Sequence, residues 1–278
     1  MTLPAQSAPI GIFDSGVGGL SVLRSIRQLL PHESILFVAD QAHDPYGPRP
    51  LVEVRRFSEG ITRFLLAEDA KLVVVACNAA SAAALRYLRD TFPETLFVGM
   101  EPAVKPAAES TASGVVGVLA TPATFQGELY ASVLERFANG VIVLQDTCPG
   151  LVAQIEAGDL SGPQTRSILE GAIQPMLRRG ADTLVLGCTH YPFVIPLIQD
   201  IAGPLVRVID PAPAVARQVI RVLDAHALLS ESQAPGQARF FTTGAVENLQ
   251  AMLPQAGLSA VVERLTWKGD QLLPASGS

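Results

Sequence analysis

Two cysteines occupy matching places in the sequence. Cys77 follows the apolar run Val73-Val74-Val75-Ala76, and Cys188 follows Leu184-Val185-Leu186-Gly187. An unbroken apolar run of this length is typical of a strand that is buried on both faces. Because ligands of open α/β sheets bind beyond the carboxyl ends of the strands, we expect each cysteine to lie at a binding site.

The polar residues after the two cysteines indicate what the thiols could do. A thiol at the mouth of a helix has a lowered pKa, and its thiolate acts as a nucleophile or a base. His190 follows Cys188 closely and could accept or supply a proton. Asn78 and Thr189, each directly after its cysteine, are neutral donors that suit a substrate carboxylate.

A glycine-rich segment, Asp14-Ser15-Gly16-Val17-Gly18-Gly19, follows the first apolar run. One interpretation is a dinucleotide-binding turn, with Asp40 as the acid after the second strand. Ser21 stands at the third glycine position, however, and the Asp14 carboxylate would lie where a pyrophosphate has to come. The alternative is that Asp14 faces a cationic group such as an ammonium, with Ser15 beside it.

The loop after the second strand contains the turn Asp44-Pro45-Tyr46-Gly47-Pro48. Its functional interpretation is a rigid loop that offers backbone N–H groups and the Tyr46 hydroxyl to an anion. We interpret His43 as an ordinary loop histidine and Glu156 as an ordinary surface residue.

A metal site would need Cys77, Cys188 and His190 as ligands. The chain has no C-x-x-C or H-E-x-x-H pattern, and Cys-x-His is not a usual pair in structural zinc sites. We therefore expect no metal.

Strands alternate with helices along the chain, which predicts an α/β fold with mostly parallel sheets. The two cysteine-bearing strands predict two pseudo-symmetric α/β domains, with the active site between them. We place the first domain at residues 1–99 plus 211–278 and the second at 100–210. Thr121 is predicted to cap a helix that has Pro122 at its first position, and residues 274–278 are predicted to form a frayed tail.

Composition narrows the class of protein. Hydrophobic residues make up 49% and charged residues 17% of the 278, which is enough apolar material for a large core. A net charge of −6 argues against a nucleic-acid partner. We find no signal peptide in Met1–Pro9 and no apolar run of membrane-spanning length, so we expect a cytoplasmic protein without a membrane partner. Three cysteines do not make a disulfide framework, and Cys148 is interpreted as structural.

Two thiols, an acid for an ammonium and neutral donors for carboxylates suit one reaction. Such a site could remove a proton from one face of an amino acid's α-carbon and return one to the other face. The α-carbon is far less acidic than a thiol, so the carbanion has to be stabilised by fixed dipoles. Two bases are required because one base cannot easily reach both faces.

At this point the sequence resembles the glutamate racemase family, from about residue 10 to residue 225. The resemblance rests on five segments in order: Asp14-Ser15-Gly16-Val17-Gly18-Gly19-Leu20-Ser21-Val22, Pro45-Tyr46-Gly47, Cys77-Asn78-x-x-Ser81, Ala120-Thr121-Pro122-Ala123-Thr124 and Gly187-Cys188-Thr189-His190-Tyr191-Pro192. The last of these is the most specific.

The resemblance implies interconversion of L- and D-glutamate without cofactor or metal, to supply D-glutamate for peptidoglycan, by a homodimer. It implies that Cys77 deprotonates D-glutamate and Cys188 deprotonates L-glutamate. Asp14 and His190 would assist the respective thiols, with Glu156 as a further helper. The implied substrate contacts are Asp14, Ser15, Tyr46, Gly47, Asn78, Ala79, Thr121, Thr189 and His190.

This chain departs from the family at two places. Ala79 stands where the family usually has Thr, which removes a hydroxyl worth about 1–2 kcal/mol of substrate binding. The segment Gln41-Ala42-His43-Asp44 is also unusual and bears on side-chain selectivity. Three alternatives stay open: a racemase for aspartate or another amino acid, a dinucleotide-dependent oxidoreductase, and an amino-acid-binding protein without turnover.

Overall fold

The computed structural model describes residues 5–101, 103–138 and 140–275. The predictions that fall on residues 1–4 and 276–278, at the two ends of the chain, lie outside the described residues.

The strands of the described residues form two sheets. The larger sheet has the order β11-β10-β9-β2-β1-β3-β4, and its neighbours are parallel except for the antiparallel pair β10–β11. Its strands are β1 Ile10–Asp14, β2 Ile35–Ala39, β3 Leu72–Val75, β4 Phe97–Gly99, β9 Ala238–Thr242, β10 Val262–Lys268 and β11 Gln271–Pro274.

The smaller sheet is parallel throughout and has the order β6-β5-β7-β8. Its strands are β5 Val115–Ala120, β6 Ile142–Asp146, β7 Thr183–Gly187 and β8 Arg207–Ile209. This order repeats the order β2-β1-β3-β4 of the larger sheet, so β3 and β7 hold equivalent places in the two halves. The predicted α/β class with mostly parallel sheets is confirmed.

Helices connect the strands and cover the sheets. They are α1 Leu20–Leu29, α2 Leu51–Ala67, α3 Asn78–Thr91, α4 Val104–Ser110, α5 Pro122–Gln126, α6 Glu128–Phe137, α7 Leu151–Glu156, α8 Pro163–Arg178, α9 Ile195–Ala202, α10 Ala212–Ala225 and α11 Val246–Met252. Thr121 is the N-cap residue of α5 and Pro122 is its first residue, as predicted, although the Thr121 hydroxyl faces that of Thr124, at 3.2 Å, instead of a backbone N–H.

The end of the chain returns to the first half. Strand β9 pairs with β2, β10 pairs with β9, and α10 packs against α1. The strands of residues 10–99 and 238–274 thus share one sheet, while those of residues 115–209 form the other. The domain limits at 99/100 and 210/211 stay a prediction.

The predicted frayed tail is wrong for Pro274. This residue ends β11 and lies opposite Leu265 of β10. Leu272, two residues earlier, is 5% exposed and belongs to the apolar core under α2. Burial of this side chain and pairing with β10 together hold the final strand on the sheet edge.

The two cysteine-bearing strands are buried on both faces, as the apolar runs predict. Every residue of β3 and of β7 is buried. Helices on both sides of each sheet shield these strands, so their carboxyl ends are held on rigid supports. Within the described residues, no helix is long and apolar enough to cross a membrane.

Candidate active site

The two thiols lie at the carboxyl ends of equivalent strands. Cys77 is the N-cap residue of α3, two residues after β3, and Cys188 directly follows β7. They are 5% and 6% exposed. The Cys77 Sγ lies 3.9 Å from the Ser15 Oγ, and the Cys188 Sγ lies 3.7 Å from the His190 Nδ1.

Both thiols line one cavity, between the strand ends of the two sheets. Ten of the eleven site residues named from the sequence line it: Ser15, Tyr46, Gly47, Cys77, Asn78, Ala79, Thr121, Cys188, Thr189 and His190. The sequence did not single out three further lining residues, Asp44, Pro45 and Val152, as substrate contacts.

Asp14 is the predicted site residue that does not line the cavity. It is fully buried behind the wall, where its Oδ1 accepts the Ser15 N–H at 2.7 Å and its Oδ2 accepts the Thr189 hydroxyl at 3.0 Å. Burial raises the pKa of Asp14, while the charge of His190 and hydrogen bonds from Cys77 and Thr189 act against that rise. Asp14 therefore links a residue of the second half to the first thiol.

The glycines of the first turn allow this close approach of the two halves. A Cβ on Gly18 would lie 2.6 Å from the His190 Nδ1 and 2.7 Å from the Thr189 Oγ1. A Cβ on Gly16 would collide with the Glu156 carboxylate. Only a residue without a side chain fits at either position, so the glycine-rich turn receives side chains of the other half instead of a pyrophosphate.

Glu156 belongs to the site, and its interpretation as an ordinary surface residue is wrong. Its Oε1 accepts the Val17 N–H at 2.7 Å and lies 2.6 Å from the His190 Nε2, and its Oε2 accepts the Gln41 side chain at 2.9 Å. Local sequence pattern could not reveal this role, because these contacts join residues far apart in the chain; only the family resemblance offered Glu156 as a helper. Glu156, His190 and the Cys188 thiol form a hydrogen-bonded chain.

This chain of contacts makes His190 a cation. Burial alone would lower the pKa of His190, but hydrogen bonds with Cys188 and Glu156 raise it well above its ordinary value. The His190 interactions in turn lower the pKa of Glu156 against its burial. The His190 ring lies 3.7 Å from the Cys188 sulfur, within reach of a proton exchange with that thiol.

The other thiol has the opposite surroundings. Burial and the Asp14 charge raise the pKa of Cys77 well above its ordinary value, and the Ala80 N–H at the start of α3 lowers it only in part. Cys77 is therefore held as a neutral thiol. The two thiols of the cavity thus have different partners: Asp14 acts on Cys77, while the His190–Glu156 pair contacts Cys188.

The Tyr46 hydroxyl is not free for a substrate anion, contrary to the prediction. It donates to the Asp40 Oδ2 at 2.6 Å, while the Tyr46 ring lines the cavity. Asp40 is fully buried and also accepts hydrogen bonds from His43 (2.9 Å), Thr243 (2.7 Å) and the indole N–H of Trp267 (2.8 Å). These four donors fill the acceptor sites of the Asp40 carboxylate, so it cannot accept the hydroxyls of a ribose. Asp40 therefore does not serve as the acidic residue of a dinucleotide-binding site.

The loop of residues 41–50, which carries Tyr46, is fixed at two further points. The imidazole of His43 stacks on Phe57 with ring centroids 3.8 Å apart, so this histidine is a packed part of the loop. Gly47 approaches the second half, because a Cβ there would lie 2.7 Å from the Thr121 Cβ and its carbonyl accepts the Ala123 N–H at 3.1 Å.

Asn78 has an amide with no partner in the described part of the protein. Both its Nδ2 and its Oδ1 are buried without a hydrogen bond. An unpaired buried polar group costs about 1–3 kcal/mol, so such a group at a cavity wall indicates a ligand that completes it. A carboxylate would accept from the amide nitrogen, as the sequence suggests. The neighbouring Ala79 lines the cavity without a hydroxyl to offer.

One cluster has metal-ligand chemistry among the described residues. Ligand atoms of Asp44, Glu156 and His190 lie within 4.8 Å of one another. The His190 Nε2 and the Glu156 Oε1 are already paired, and Glu156 accepts two further hydrogen bonds. Hydrogen bonds with neighbouring residues thus explain why Glu156 and His190 lie together. Among the described residues, the ligand atoms of Cys77, Cys188 and His190 do not lie close enough together to form such a cluster.

Comparison with known proteins agrees with this geometry. The family model for Asp/Glu/hydantoin racemases matches residues 10–219. The chain belongs to this family. It is 53% identical over 250 residues to a glutamate racemase of Ectopseudomonas mendocina, which covers 90% of this chain and 94% of the relative. A glutamate racemase of Pseudomonas aeruginosa is 53% identical over 252 residues, 91% of this chain and 95% of the relative.

A solved structure has the same fold. The glutamate racemase of Escherichia coli, crystallised with L-glutamate and an activator, superposes with a TM-score of 0.82 at 32% identity. The superposition covers 94% of this chain and 99% of that one.

The close approach at Gly18 predicts the effect of a single methyl group. Gly18→Ala should lower kcat/KM about 100-fold, because the added Cβ displaces His190 and Thr189 from the cavity wall. Racemisation followed by circular dichroism measures it. Gly171→Ala is the matched control: Gly171 is exposed in α8 with open space around it, so activity should stay unchanged. Equal activity of both variants would contradict the role of Gly18.

The Glu156–His190 pair predicts a pH effect. Glu156→Gln keeps an acceptor for the Val17 N–H but removes the charge that raises the His190 pKa. His190 then loses its proton at lower pH, so the alkaline limb of kcat/KM should move about one pH unit or more toward acid. The exposed Glu247→Gln should leave the profile in place. An unmoved alkaline limb in the Glu156 variant would show that this carboxylate does not set the charge of His190.

Proposed function

We propose that the chain interconverts L- and D-glutamate by a two-base mechanism that uses no cofactor. The observation that carries this is the pair of buried thiols, which two equivalent strands bring to one cavity with opposite surroundings. Glutamate as substrate is supported by relatives that are named glutamate racemases and are 53% identical over nine-tenths of the chain.

The mechanism assigns one thiol to each face of the α-carbon. For L-glutamate, the Cys188 thiolate removes the α-proton, and the Cys77 thiol donates its proton to the opposite face. Cys77 is then the thiolate and Cys188 the thiol, ready for the reverse reaction. His190 holds the charge of Cys188, and Asp14 acts on Cys77 from behind the wall.

The barrier arises from the negative charge that develops at the α-carbon and its carboxylate. Donors aimed at the carboxylate lower it, because they are fixed before the reaction and act away from bulk water. The unpartnered Asn78 amide is the best-placed donor, with the Thr121 hydroxyl at the same wall; the Thr189 hydroxyl already donates to Asp14. Ser15, the Gly47 backbone and the Tyr46 ring would complete the substrate pocket.

The neutral donors suit the carboxylates of an acidic amino acid. Ala79 leaves one carboxylate contact fewer than the family pattern, so weaker substrate binding is expected without loss of the chemistry. Aspartate is the substrate to compare directly with glutamate in the same assay.

The proposed setting follows the family resemblance. In this setting, a homodimer of the chain supplies D-glutamate in the cytoplasm for the synthesis of peptidoglycan. A dimer of this 29.3 kDa chain predicts about 59 kDa in light scattering, twice the chain mass. A mass of one chain at micromolar concentration would contradict the homodimer and leave the site chemistry untouched.

Cysteine substitutions test the reaction. Cys77→Ala and Cys188→Ala should each lower racemisation of glutamate by at least about 100-fold, because either loss leaves one face of the α-carbon without a base. Cys148→Ala is the matched control: Cys148 is equally buried, burial raises its pKa, and it does not line the cavity. Full activity in either of the first two variants would end the two-thiol mechanism. Stabilisation of wild type by glutamate without racemisation would indicate a binding protein instead.

A further inference from the structure

A substrate amino acid carries an ammonium group, and the cavity has to place a negative charge beside it. Three carboxylates, Asp14, Glu156 and Asp44, lie at or directly behind the cavity wall. Which of them is free to accept can be read from their hydrogen bonds.

Asp14 and Glu156 are already occupied. Both oxygens of Asp14 accept hydrogen bonds from neighbouring residues, and its side chain does not reach the cavity. Glu156 accepts from a backbone N–H and from Gln41 and is paired with the His190 imidazolium. An ammonium at either carboxylate would have to displace partners that support the two thiols.

Asp44 differs from both. It lines the cavity, and its Oδ1 is buried without a hydrogen-bond partner in the described part of the chain. It belongs to a loop fixed by the Asp40–Tyr46 hydrogen bond and by the Gly47 contact with Thr121. We propose that the Asp44 carboxylate binds the α-ammonium of the substrate, an inference that rests on the proposed racemase function.

The surroundings of Asp44 fit a group that is only partly ionised near neutral pH before the substrate arrives. Burial raises its pKa to about 7; His190 and a hydrogen bond from Ser15 act against that rise, while Glu156 and Asp14 add to it. A bound ammonium supplies the missing positive charge and favours the carboxylate form.

Two ligands separate this role from a general structural one. L-Glutamate has the ammonium, whereas glutarate has the same two carboxylates without it. Asp44→Asn should raise the KM of L-glutamate roughly ten- to hundredfold, the loss of one charge-assisted hydrogen bond. The inhibition constant of glutarate in the same assay should stay within about twofold or improve, since a repulsive charge has been removed.

The pH dependence gives the matching signature. In wild type, glutamate binding should strengthen as pH rises from 6 to 8, because Asp44 ionises, while glutarate binding should weaken. Both trends should flatten in Asp44→Asn. The ligand-free variant should also be more stable than wild type, by a margin that grows between about pH 4 and pH 7. A carboxyl whose folded pKa lies above its usual 3.8 reduces stability as pH rises through that window.

Asp210→Asn is the matched control. Asp210 is another carboxyl whose pKa burial raises, but it lies at the start of α10, where it accepts the Ala212 N–H at 2.8 Å, and it does not line the cavity. Its substitution should change neither constant.

Each outcome decides the proposal. An equal loss of glutamate and glutarate binding in Asp44→Asn, or an unchanged KM for glutamate, would overturn it. A fall in kcat alone would assign Asp44 to the Glu156–His190 pair instead. If wild type does not racemise glutamate, the proposed function has failed, and thermal shifts with D-glutamate and glutarate still test Asp44 separately.

Discussion

The site depends on one contact between the halves of the chain. Thr189 donates to the fully buried Asp14 at 3.0 Å, and beside it the Glu156 carboxylate accepts the Val17 N–H of the first turn. These bonds bring the end of β7 against the end of β1, so Cys77 and Cys188 share one cavity. Buried polar groups allow few alternative arrangements of the two halves, because any shift would leave a donor or a charge buried without its hydrogen-bond partner.

The glycines make this contact sterically accessible. A side chain at Gly16 or Gly18 would occupy the space of Glu156 or of Thr189 and His190. The same glycine spacing that resembles a nucleotide-binding turn thus has a different physical reason here. The turn is small because a protein surface, not a phosphate, has to come close.

The sequence predicted the parts of the site that local pattern determines. The apolar runs located Cys77 and Cys188 correctly at strand ends, and ten of the eleven named residues line the cavity. Roles that depend on distant partners did not follow from local pattern. Glu156 looked like a surface residue, and only the family resemblance offered it as a helper; the Tyr46 hydroxyl was assigned to an anion, although Asp40 accepts its hydrogen bond. Strand β11 was missed for the same reason, since only its pairing with β10 makes Pro274 part of a sheet.

The central claim is that two opposed bases act on one α-carbon, and the fate of the α-hydrogen tests it most directly. L-Glutamate is incubated with the wild-type protein in deuterated water, and both enantiomers are analysed by mass spectrometry at early times. The account predicts D-glutamate with one deuterium at the α-carbon and residual L-glutamate without any, because the proton removed by Cys188 is not the one that Cys77 delivers. Transfer of the original hydrogen into D-glutamate, or equal labelling of both enantiomers from the start, would contradict it.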